Sequence, residues 1–154
     1  MMLPGRALSI RQPWAWAILH AGKDIENRSW DMRNKNRLWE NRGRIAIHAS
    51  QGMARDEYIH AKKFMRSLGI ECPHPLDVAL QRGGIVGSVE IVDAVRESDS
   101  PWFVGTLGLV LRDARSCEFI PVNGLLGFFD WSERRRGSEP VPVFKWMQEW
   151  ENPS

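Results

Sequence analysis

Cysteine, tyrosine and an excess of either charge are what this chain has least of, and each scarcity excludes something. Cys72 and Cys117 are the only two cysteines in 154 residues. They are too few for a disulfide framework, and neither has a Cys or His neighbour at zinc-ligand spacing, so both read as reduced structural thiols. His20, His48, His60 and His74 are dispersed, with no His-x-x-x-His pair, and neither a metal nor a cofactor is expected. No run of about 18 apolar residues occurs, which argues against a membrane span. The opening Met1-Met2-Leu3-Pro4-Gly5-Arg6 lacks the apolar core of a secretory signal, and a cytoplasmic protein is the expectation. Twenty-one basic residues face 19 acidic ones, for a net charge of +2 and a pI near 8.7. The chain as a whole is therefore not a polybasic nucleic-acid binder, and attraction to phosphate has to come from local patches. Residues 33–44 and Arg134, Arg135 and Arg136 are two such patches, the second reading as solvated loop charge.

Tryptophan is abundant: eight indoles accompany a single tyrosine. Each offers a large apolar area and a flat face on which a base can stack, although most should serve the core. With 43% hydrophobic and 26% charged residues, the composition is that of a globular protein. A single domain over 1–154 is expected, with a charged loop and C-terminal segment over 132–154.

Ala7-Leu8-Ser9-Ile10-Arg11 alternates as a short strand does. Pro13 suits a first helical turn, the helix continues through His20, and Gly22 is placed to end it. Residues 24–30 read as a strand with Glu26, Arg28 and Trp30 on one face. Lys23 has the opposite parity and joins them only if the chain bends at Gly22 and Lys23. Residues 31–42 should be an exposed loop and residues 44–50 a strand. Ala54, Tyr58, Ala61, Met65 and Leu68 recur at spacings of four and three, marking an amphipathic helix that Gly69 stops. One short helix is expected over 76–80. Residues 85–92 form the most β-branched run, 107–111 and 117–122 read as two strands joined around 113–116, and 127–131 is a last apolar segment. Short strands interspersed with two or more helices, without regular βαβ alternation, imply an α+β fold: a small mixed β-barrel with helices packed on it.

The stretch from Gly22 to Trp30, set behind Gln12-Pro13-Trp14, concentrates the chemistry. A carboxylate at Glu26 between Lys23 and Arg28 would stay ionised, and a partly desolvated Lys23 could shuttle a proton or anchor phosphate; a surface ion-pair cluster is the alternative. The Gln12 amide could read the edge of a nucleobase or cap the helix. His48 in mid-strand is either a binding residue or a satisfied core histidine, and Glu90 either a buried base or an outward charge. Trp14, Trp30 and Trp102 are candidate stacking platforms. No Ser or Cys sits in a nucleophile elbow.

Four segments together, Leu8-Ser9-Ile10-Arg11-Gln12-Pro13-Trp14-Ala15, Lys23-x-x-Glu26-x-Arg28-Ser29-Trp30, Gly43-Arg44-Ile45-Ala46-Ile47-His48-Ala49-Ser50 and Gly84-Ile85-Val86-Gly87-Ser88-Val89, resemble the ASCH domain family over residues 7–131. The resemblance implies a PUA-like β-barrel whose G-x-K-x-x-E-x-R motif lines a cleft for RNA, DNA or a modified nucleoside. Lys23, Glu26 and Arg28 match its charged members, while Ala21 stands at the motif glycine and Gly22 at the next position. Relatives that hydrolyse N4-acetylcytidine carry a threonine three residues after the lysine, where this chain has Glu26; others are ribonucleases. A nucleic-acid or nucleotide binding module, on single-stranded RNA or DNA or on a nucleoside, is thus the leading expectation. An N4-acylcytidine-type amidohydrolase or ribonuclease using Lys23, Glu26 or Glu90 is the alternative. Docking of a protein partner through the Trp-rich tail is a third.

Overall fold

Alternation in Ala7-Leu8-Ser9-Ile10 produces β1 (Arg6–Ile10), which sends Ala7, Leu8 and Ile10 into the core. The computed structural model describes residues 2–29 and 42–151. After β1 come α1 (Trp14–His20), β2 (Ile25–Arg28), β3 (Gly43–Ala49), α2 (Arg55–Ser67), β4 (Gly84–Val95), β5 (Leu107–Pro121), β6 (Phe128–Asp130) and α3 (Lys145–Gln148). Short 3-10 turns lie at Val78–Leu80 and Ser132–Arg134. The loop expected over 31–42, save Arg42, lies outside the described residues.

The strands form one sheet in the order β2-β5-β4-β3-β1-β6. β1 and β3 run parallel, a pairing that the short-strand pattern did not suggest; the other neighbours are antiparallel. The sheet curls into a half-barrel against which three helices pack, the expected α+β architecture. Where two strands were expected, β5 runs unbroken from Leu107 to Pro121. Asp113 adopts φ 53°, and the register against β4 shifts at three places. Cross-strand contacts hold this bulged stretch in the sheet: Arg44 and Arg115 both donate to the Asp113 carboxylate, and Arg44 also to Ser88 Oγ.

One apolar cluster joins the inner face of the sheet to α1 through Leu8, Ile10, Ile18, Ile47, Val89 and Leu109. A second surrounds α2, whose Tyr58, Ala61 and Met65 are the buried part of the expected stripe. The C-terminal segment belongs to this second cluster. Met147 is fully buried, Trp146 Nε1 donates to the Met53 carbonyl at 3.1 Å, and Trp150 meets Tyr58 edge-on with centroids 4.9 Å apart. Arg82 and Arg136 fasten the preceding stretch by donating to the carbonyls of Pro142 and Glu139, both at 2.7 Å. Arg134 and Arg136 are therefore bonded to backbone rather than free loop charges, and the tail spends its indoles on its own core.

Candidate functional site

The site starts at the end of α1. Gly22 takes φ 75°, which glycine adopts without a Cβ clash, and the Lys23 N–H turns back to the Ala17 carbonyl at 3.1 Å. This is the bend on which the grouping of Lys23 with Glu26 and Arg28 depended. The left-handed residue falls on Gly22 itself, whereas Ala21 at φ −126° needs no glycine.

Lys23 is only 5% exposed; its Nζ donates to the Ile25 carbonyl and sits 5.2 Å from the Trp14 ring centroid and 5.6 Å from that of Trp102. Burial lowers its pKa below the ordinary lysine value, Glu26 and Asp24 oppose that shift, and Arg28 adds to it. Phe64 from α2 packs edge-on to Trp14 at 5.9 Å and tilted against Trp102 at 5.8 Å. Trp14, Phe64, Trp102 and Val104 thus wall a pocket of about 250 Å³, with Lys23, Glu26, Asn27 and His60 as its polar lining.

Glu26 is 9% exposed. Its Oε1 lies 3.9 Å from Arg28 Nε, while its buried Oε2 has no hydrogen-bond partner among the described residues. Leaving a buried acceptor unpaired costs about 1–3 kcal/mol, more when charged, so a donor arriving in the pocket would be stabilised there. Arg28 reaches the opposite way and donates to the Ser9 carbonyl at 2.8 Å, linking β2 to β1, strands that are not neighbours in the sheet. Asn27 fixes the far wall: its Nδ2 donates to the Trp102 carbonyl at 2.8 Å and its Oδ1 accepts from Val104 N–H at 3.0 Å.

Of the residues singled out in the sequence, Trp14, Lys23, Glu26 and Trp102 come together here, with Arg28 adjoining through Glu26. Gln12 does not join them. Its amide donates to the Gln81 carbonyl at 2.8 Å and accepts from Trp16 N–H at 3.0 Å, the helix-capping role. His48 is also spent, between Ser9 Oγ at 3.2 Å and the Val122 carbonyl at 2.8 Å. Burial lowers the His48 pKa, the Val122 bond opposes this, and Arg136 and Arg134 reinforce it, so the ring is neutral, with Nε2–H donating. Glu90 lies on β4, ion-paired with Arg112 at 2.9 Å, and does not line the pocket. Trp30 lies outside the described residues. Asn27, His60, Phe64 and Val104 were missed; only the four-residue spacing of His60 and Phe64, one face of a helix, hinted at any of them.

Among the described residues no group of three His, Cys, Asp or Glu could hold a metal ion, and no helix is long and apolar enough to cross a membrane. What remains is an α+β half-barrel carrying an aromatic pocket with a lysine and a carboxylate in its wall. The ASCH domain model matches residues 8–103, and the chain belongs to the ASCH domain family. That match takes in every lining residue except Val104. Human Activating signal cointegrator 1 is 27% identical over 113 residues, which are 64% of this chain and 18% of that protein. The chain thus spans less than a fifth of that relative.

Proposed function

We propose that this chain is a nucleic-acid reading module that takes one unpaired base, of RNA or DNA, into the pocket between Trp14 and Trp102. The observation that carries the reading is the buried Oε2 of Glu26, without a hydrogen-bond partner among the described residues, in the wall of an aromatic pocket. A ring N–H or exocyclic amine of a base supplies the missing donor, Lys23 donates to a base oxygen or ring nitrogen, and an indole stacks. At about 250 Å³ the pocket lies under the ~300 Å³ lower end of ordinary ligand clefts, which suits a single base rather than a duplex. Arg28, beside it, adds positive charge for the attached phosphate.

Titrating labelled single-stranded RNA and DNA against wild type and Lys23→Ala tests this. The variant is expected to bind at least about tenfold more weakly, the loss of one charge-assisted contact. Equal binding at low salt by two folded proteins overturns the reading. The hydrolase alternative retains Lys23 and Glu26 but has no hydroxyl or thiol side chain among the described lining residues. Turnover of an N4-acylcytidine by wild type that Lys23→Ala abolishes would put that reaction in place of binding.

A further inference from the structure

Short contacts lead from the pocket to the 123–127 loop. Arg28, paired with Glu26, donates to the Ser9 carbonyl at 2.8 Å, and the Ser9 N–H donates to the Gly127 carbonyl at 3.2 Å. The loop is held at both ends. Asn123 N–H donates to the Arg134 carbonyl at 2.9 Å, and the Arg134 side chain returns to the carbonyls of Asn123 at 2.8 Å and Gly124 at 3.3 Å. Gly124 lies so close to His48 that a Cβ there would clash with the imidazole ring, and Gly127 turns the chain with φ 74°. This fastened loop holds Leu126 100% exposed and Leu125 50% exposed. Singly exposed leucines are ordinary on protein surfaces. These two are consecutive, sit on a clamped loop, and precede Gly127, whose carbonyl accepts from Ser9, the residue that in turn anchors Arg28.

We infer that Leu126, supported by Leu125, is a wedge that packs against a base neighbouring the one in the pocket and so unstacks the strand. The inference rests on the base-binding reading above. Taking one base out of a stack requires its neighbours to be separated, and apolar side chains inserted between base steps do this in other nucleic-acid binders. The nearby charge fits a polyanion: Arg134 bonds the loop carbonyls of Asn123 and Gly124, Arg28 bonds Ser9 beneath Gly127, and Arg135 stacks on Trp131 at 5.0 Å. The His48 ring is the floor on which Gly124 rests.

The probe is a short single-stranded RNA carrying 2-aminopurine, whose fluorescence rises when it is unstacked. It is titrated with wild type, Leu126→Ser, Leu126→Trp and Lys23→Ala, beside anionic phosphatidylserine vesicles. Leu126 is fully exposed, so its substitutions leave the core intact. Leu126→Ser is expected to bind about tenfold more weakly and to lose the fluorescence rise, and Leu126→Trp to bind at least as tightly as wild type. If Leu126→Ser binds and unstacks as wild type does while Lys23→Ala does not bind, the wedge is overturned and the base pocket stands. If Lys23→Ala binds as wild type does, the base reading fails and the wedge with it. Loss of vesicle binding by Leu126→Ser with RNA binding unchanged would overturn the wedge in favour of a lipid surface.

Discussion

Lys23 and Glu26 are both nearly out of water, yet the Lys23 ammonium has a partner in the Ile25 carbonyl while Glu26 Oε2 has none among the described residues. That asymmetry separates the site from a surface ion-pair cluster, in which both partners would remain solvated. It was half legible in the sequence, since strand parity put Glu26 and Arg28 on one face while Lys23 joined them only through a bend at Gly22. Gln12 and His48 were not legible, because their partners at Gln81 and Val122 lie 69 and 74 residues away. His48 carries a pH prediction. Burial sets its folded pKa below the reference value of 6.5, so between the two values the unfolded chain binds more protons than the folded one. This contribution to stability is therefore fully present above pH 6.5 and is lost as pH falls from 6.5 through the folded value. Thermal unfolding followed from about pH 7.5 to pH 5 should show Tm falling with acid, less steeply in His48→Gln. Equal slopes in the two proteins would remove His48 as the cause.

Among the elements, those with local causes were read well. Pro13 and Gly22 bracket α1, and the three-and-four spacing of Tyr58, Ala61 and Met65 marks the buried face of α2. The β5 expectation failed because Asp113-Ala114-Arg115-Ser116 has the composition of a turn, whereas cross-strand contacts to Arg44 and Ser88 keep it in the sheet. α3 is too short to stand alone and owes its helix to packing. Removing residues 143–154 would take Met147 from a fully buried site along with the Trp146 and Trp150 contacts. Loss of Met147 alone should cost about 2–5 kcal/mol. Chemical denaturation measures it, and an unchanged midpoint would mean that the tail is not part of the core.

For the whole molecule, a net charge of +2 sets the scale of electrostatic binding. If a base enters the pocket against Lys23 and only Arg28 and Arg134 face the backbone, few phosphates are neutralised. Log affinity for single-stranded RNA should then fall with log salt at a slope of about −1 to −2, given roughly −0.7 per phosphate. Repeating the titration over a range of salt tests this; a slope steeper than about −4 would move binding to an extended basic surface such as 33–44.

The sequence by itself determined the α+β class, most of the elements, and the register that puts Glu26 and Arg28 on one strand face, because propensity, periodicity and turn chemistry act over a few residues. Only the tertiary structure decided which polar atoms were already satisfied and which were left over. It also brought together the pocket's aromatic wall from α1, α2 and residues 102–104. Hydrogen-bond saturation and burial depend on partners distant in the chain, and the curl of the sheet chose those partners.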